Sequence, residues 1–154
     1  MSILVAYKYA ANPQDASVGA DGSIDWSRAK KSVSEYDPVA AQVGRDLADA
    51  LGTELVGISV GSADIASGSA KKNAMSKGFD RGVLLADDAT EGWGGLSLAK
   101  ALAELVKRED NPQLILTGDA SIDEGARLVS ALLAAHLGIP CFQNVTSVQI
   151  SSTH

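Results

Sequence analysis

Leu114-Ile115-Leu116-Thr117-Gly118-Asp119-Ala120-Ser121-Ile122-Asp123-Glu124-Gly125 is the stretch on which the reading of this chain turns. An apolar run stops at a glycine, a short acidic turn follows, and an amphipathic segment begins. A buried parallel strand passes to a helix in this way, and the free N–H groups of such a helix can hold an anion, phosphate above all. Working outward, residues 113–117 read as a strand and residues 122–137 as the helix after it.

The same alternation runs through the rest of the chain. Residues 3–7 form a short apolar run, a first buried strand, and the polar stretch 10–23 is a long loop with a turn at Asp21-Gly22. Asp37-Pro38 opens a helix, because Asp can cap free N–H groups and Pro at the first position has none to lose. Val39, Val43, Leu47 and Leu51 recur every four residues opposite Gln42, Arg45 and Asp49, and Gly52 ends the pattern. Residues 55–60 are a second strand ending at Gly61. A helix with a small face (Ala66, Ala70, Ala74) then starts at Ser62 or Asp64, runs to about Lys77 and closes at Gly78. Residues 82–86 are a third strand, 87–95 a loop, and 96–108 an amphipathic helix with Leu98, Leu102, Leu105 and Val106 inward. A fifth strand region is expected from Ile139 to about Ile150.

Strands alternating with helices imply βαβ crossovers and a mostly parallel sheet covered on both faces. The expectation is a doubly wound, three-layer α/β/α sandwich of the Rossmann-like, adenine-nucleotide-binding kind, one domain over residues 1–154. No internal repeat or low-complexity segment interrupts it. Hydrophobic residues at 45% and charged residues at 21% suit a soluble protein, while a net charge of -6 disfavours a nucleic-acid partner. No apolar run is long enough to cross a bilayer, and Met1-Ser2-Ile3-Leu4 carries no signal-peptide features, so a cytoplasmic protein without membrane insertion is expected.

Ligands of such sheets sit beyond the carboxyl ends of the strands, which points to the loops 8–12, 61–64, 87–95 and 118–125. None carries a G-x-x-x-x-G-K-[ST] phosphate loop, and Tyr7-Lys8-Tyr9-Ala10 stands where G-x-G-x-x-G would follow the first strand. His136 reads as a surface residue. Cys141, alone of its kind, reads as a space-filler in a strand after Pro140. No catalytic residue and no metal ligand set is expected. Ser121-Ile122-Asp123-Glu124 matches an S-x-x-E capping box, whose side chains compete with an anion for the same N–H groups.

In its motifs the chain resembles the β subunit of electron transfer flavoproteins. Ile3-Leu4-Val5-Ala6-Tyr7-Lys8 is similar to that family's opening I-L-V-A-x-K. Ala20-Asp21-Gly22-Ser23-Ile24-Asp25, Ser34-Glu35-Tyr36-Asp37, Ile58-Ser59-Val60-Gly61 and Lys77-Gly78-Phe79-Asp80-Arg81 follow in order. Gly118-Asp119-Ala120-Ser121-Ile122-Asp123 matches the G-D-x-S-x-D form of the fix-type and carnitine-linked branch, and Leu137-Gly138-Ile139-Pro140 the L-[GN]-I-P after it.

The resemblance implies an electron carrier that pairs with an α subunit, serves a flavin dehydrogenase, and holds FAD or AMP. Carried over, the pocket would use Ala6 near the base, Ser34, Glu35, Tyr36 and Asp37 over the adenosine, and Val60 at a strand end. Gly118, Asp119, Ala120, Ser121, Asp123 and Arg127 would hold the phosphates. AMP-type members carry Asn-Pro at Ser34-Glu35, Lys at Asp119 and Asn-Gln-Thr at Arg127-Leu128-Val129, so the departures favour either FAD or a degraded pocket. Arg127 is either the cation that offsets Asp119 or a solvated helix residue. Members of the family run on past the position of His154 with an arm that clasps the α chain, so the sequence reads either as a fragment or as a homologue without that arm. A universal-stress-type ATP-binding regulatory domain and a ligand-free interaction module share this layering and stand as alternatives. Trp93 in Gly92-Trp93-Gly94-Gly95 is an interface anchor or a ring folded onto its own surface.

Overall fold

Strand and helix alternate as the periodicity requires in a computed structural model that describes residues 1–121 and 127–151. The order is β1 (Ser2–Ala6), β2 (Tyr9–Ala11), β3 (Ser17–Val18), β4 (Ile24–Asp25), β5 (Lys31–Val33), α1 (Asp37–Leu51) and β6 (Glu54–Gly61). It continues with α2 (Gly68–Met75), β7 (Arg81–Ala86), α3 (Gly95–Lys107), β8 (Pro112–Thr117) and α4 (Val129–Leu137). Four of these strands make one parallel sheet in the order β7-β6-β1-β8. β1 is central and buried along its whole length, which is why its sequence is an unbroken small and apolar run instead of an alternating one.

Helices cover both faces. α1 and α2 close over Ile3, Val5 and Leu55, while α3 and α4 close over Leu4, Val56 and Ile58. The chain is thus the expected three-layer α/β/α sandwich. Two glycines set how closely its layers approach. A Cβ on Gly44 of α1 would come within 2.7 Å of Leu55 Cδ1 and 3.1 Å of Val5 Cγ2, so the helix lies directly on the sheet. A Cβ on Gly57 of β6 would strike Phe79, whose ring stacks on Tyr7 at 5.4 Å between centroids. Burial in that stack pushes the Tyr7 hydroxyl up to about 12.

Charges clamp the strand beginnings. Arg81 on β7 donates to Glu54 at 3.0 Å and to Glu109 at 2.5 Å, tying β6, β7 and the end of α3 together. Arg45 on α1 pairs with Asp49 at 2.7 Å and Asp80 at 3.0 Å. Asp80 also accepts the Leu55 N–H at 2.8 Å, so one carboxylate fixes both the helix and the start of β6.

Several expectations are corrected. The buried face of α1 is Ala40, Ala41, Gly44, Leu47 and Ala48, while Val39 and Leu51 are exposed. A series spaced by four drifts about 40° per step around a helix, so Val39 and Leu51 end up on its shoulders. Asp37 lies inside the helix, with Tyr36 at its cap position. The loop 10–23 holds the short strands β2 and β3; its turn at Asp21-Gly22 forms, with Gly22 at φ 81°. The helix expected from Ser62 or Asp64 starts as a 3-10 turn, Ala63–Ala66, and becomes α-helical only after Ser67 caps it. Among the described residues α4 begins at Val129, and Arg127, which the expected helix included, takes a left-handed backbone at φ 54° that no α-helix contains. The expected capping box extends into residues 122–126, outside the described residues.

The fifth strand does not form. Among the described residues, 139–150 pair with no strand, and Phe142 (83%), Val145 and Ile150 are exposed. Cys141 is likewise exposed instead of filling space in a strand.

Candidate functional site

The strand order locates a switch in connectivity. From β1 the chain builds outward through β6 to β7, then returns to add β8 on the other side of β1. Connectivity therefore reverses between β1 and β8, the place beyond the strand ends where parallel sheets of this kind bind their ligands. Ala6 is paired with Thr117 at that point, so Tyr7-Lys8 and Gly118-Asp119 leave the sheet side by side.

The first wall is held by backbone bonds from distant segments. Lys8 N–H donates to Asp37 Oδ2 at 2.7 Å, Ser34 N–H donates to Lys8 O at 2.8 Å, and Asp37 N–H donates to Ser34 O at 3.0 Å. Ser59 Oγ, wholly buried, donates to Tyr7 O at 2.8 Å. Ser34 and Asp37 are buried, whereas Glu35 and Tyr36 face outward. Gly118 abuts this wall. A Cβ there would collide with Asp37 Oδ1 and come within 3.1 Å of the Tyr36 carbonyl carbon and 3.2 Å of Asp37 N. The glycine is required for close approach of two backbones.

The second wall is the loop after β8. Asp119 is exposed, and Ala120 and Ser121 are half-buried. Arg127 Nη2 lies 3.0 Å from Asp119 Oδ2, so of the two expectations for this arginine the cation offsetting Asp119 is realised. Its place on a helix is not. Asp123 lies outside the described residues.

The remaining expected residues sit along the same edge. Ala6 is buried and belongs to the face packed by α3 and α4; Val60 is half-buried on that face, two residues past Ile58, the partner of Ala6. Tyr36, Asp37 and Gly118 are therefore in contact, Asp119 and Arg127 form a pair, and Ala6 and Val60 stand one layer across. A groove of about 880 Å³ follows β8 from Pro112 to Gly118 and reaches Asp119 and Arg127, with Leu133, Phe142 and Val145 on its other side. Of the two walls it touches only the loop after β8. A second cavity, about 150 Å³ beneath α2 between Tyr7 and Phe79, meets none of the expected site residues. Among the described residues no group of three or more His, Cys, Asp or Glu side chains could hold a metal, and no helix is long and apolar enough to cross a membrane. His136 is exposed, as expected, and Trp93 is half-buried.

Lys8 opens the expected ligand loop 8–12, but no bond of its own was expected there. Its part in the wall is played by main-chain N–H and C=O, which leave no mark on residue type. The nearest signal is the run of small and polar residues at Ser34–Asp37, which the fold needs there for the bonds just described.

With this geometry in place, a family model described as electron transfer flavoprotein domain matches residues 22–154. The chain belongs to that family. The match includes Tyr36, Asp37, Gly118 and the loop after it, and starts after β1.

Proposed function

We propose that this chain is a β-subunit-type electron transfer flavoprotein domain. In this reading it binds FAD or, alternatively, AMP in the β1–β8 crevice and pairs with an α subunit that serves a flavin dehydrogenase. The observation that carries the reading is the contact of Gly118 with Tyr36 and Asp37 where the sheet order reverses, because it joins a strand-to-helix loop to the mouth of α1.

The residues present suit an adenine nucleotide. Ala6 and Val60 would give the base small apolar walls, and Ser34, Glu35, Tyr36 and Asp37 would lie against the adenosine. The main chain of Gly118, Asp119, Ala120 and Ser121, with the Arg127 guanidinium, would take the phosphates. Asp119 next to this loop favours FAD over AMP, since a carboxylate replaces the lysine that AMP-type members carry there. Bound flavin supplies the redox chemistry, and the chain's own residues bind it, orient it and exclude water. One domain over 1–154 and a cytoplasmic setting accompany this reading.

Titration calorimetry with FAD, ADP and AMP tests it. Saturable binding of FAD or AMP supports the reading, and no binding at millimolar ligand overturns it. Capture of a purified flavoprotein α subunit tests the pairing.

A further inference from the structure

We propose that Asp119 is an internal competitor for the anion of this site: its carboxylate occupies Arg127 until a phosphate takes its place. The inference rests on the phosphate reading of the loop after β8 and adds a specific control to it. Two carboxylates flank Gly118, and they differ in kind. Asp37 is buried and committed to the Lys8 N–H at 2.7 Å, so it belongs to the fold. Asp119 is exposed, and its ion pair is with Arg127 at 3.0 Å.

That pair is built to be exchanged. Both side chains are open to water, at 65% for Arg127 and 48% for Asp119, so the attraction is screened and weak. An anion approaching Gly118 therefore meets a negative charge whose cation is already engaged. Binding requires one anion to replace another at the guanidinium. The ligands able to do so are phosphate or diphosphate esters, which bring more charge and more acceptor oxygens than a single carboxylate and can bind the guanidinium through two N–H groups. Asp119 so lowers affinity for every anion and rejects singly charged ones most.

The test compares wild type with Asp119→Asn and with Asp119→Asn combined with Arg127→Gln, using ADP as the probe in calorimetry at low and high salt. Asp119→Asn is expected to bind ADP about three- to tenfold more tightly, and adding Arg127→Gln to erase that gain. Thermal melts of the variants should match wild type, since both side chains lie at the surface. Wild-type binding of ADP with no gain in Asp119→Asn overturns the competition and leaves the nucleotide reading standing. Failure of every variant to bind ADP, AMP or FAD overturns both.

Discussion

Gly118 and Asp37 stand so close that no side chain fits between them: a Cβ at position 118 would run into Asp37 Oδ1. The carboxylate cannot retreat freely, since its other oxygen accepts the Lys8 N–H at 2.7 Å. Gly118→Ala should therefore push Asp37 off Lys8 and cost about 1–3 kcal/mol of stability. Urea unfolding measures it. Gly95→Ala is the control, because a Cβ there would rest 3.7 Å from Leu132 Cδ1, an ordinary contact, and should be neutral or slightly stabilising. Equal stabilities for the two variants would refute the close-approach account.

Arg81 is the shared partner of Glu54 and Glu109, and the Glu109 side chain is only 8% exposed. The Glu109 hydrogen bond foremost, with Glu54 adding to it, holds the Arg81 guanidinium well above its ordinary value against the opposing effect of burial. Arg81→Ala would leave Glu109 enclosed without its cation. With the arginine itself 42% exposed, solvent screening limits the loss to about 1–2 kcal/mol. A double-mutant cycle with Glu109→Gln should recover part of that loss; strict additivity would show that the two do not act together.

Asp80 should contribute to acid sensitivity. The Leu55 N–H, and after it Arg45, hold its carboxyl below the usual range although burial opposes them. A depressed native value means that the stabilisation is complete above the unfolded value near pH 4 and is lost as pH falls through the lower native one. Stability measured from neutral pH downward should fall more steeply below about pH 4 in wild type than in Asp80→Asn. Parallel curves would remove Asp80 from the account.

Amide exchange should separate the sheet from the segment after α4. β1 is buried throughout and bonded to β6 and β8, so its amides should be among the slowest. Residues 140–150 join no ladder and should exchange quickly, while Ile139, whose N–H donates to Ala134 O at 3.1 Å, should be slower than its neighbours. Protection across 141–150 comparable to β8 would mean that a fifth strand exists after all.

The strands β1 and β6 were legible because burial on two faces demands short apolar runs such as Ile3-Leu4-Val5, and β8, half-buried at the sheet edge, was legible from the similar run Leu114-Ile115-Leu116. α1 was legible in extent, from Asp37-Pro38 to the left-handed Gly52 at φ 62°, but not in aspect. Its core face is made largely of alanines and one glycine, which carry little hydrophobic emphasis. The segment after α4 misled because it is apolar. Ile139, Phe142, Val145 and Val148 fall at every third position, a spacing that puts successive side chains on different faces of a strand and builds no single buried face. At the site, Gly118 and Ser34–Asp37 could be singled out, but their meeting followed only from the family resemblance and not from local pattern, because it depends on β8 crossing back beside β1. The Asp119–Arg127 pair spans a stretch where the helical pattern predicted a different backbone at Arg127.

The pairing of β1 with β8 joins Ile3 to Leu114 and Ala6 to Thr117, residues far apart along the chain. Contacts of such separation close the largest loop and are costly to form early. A chain that has assembled β1, α1 and β6 already has one wall of the cleft, but the other arrives only with β8. The crevice is thus a property of the finished sheet. A ligand that needs both walls selects completed molecules from the folding population and draws the equilibrium toward them in proportion to its concentration over its dissociation constant.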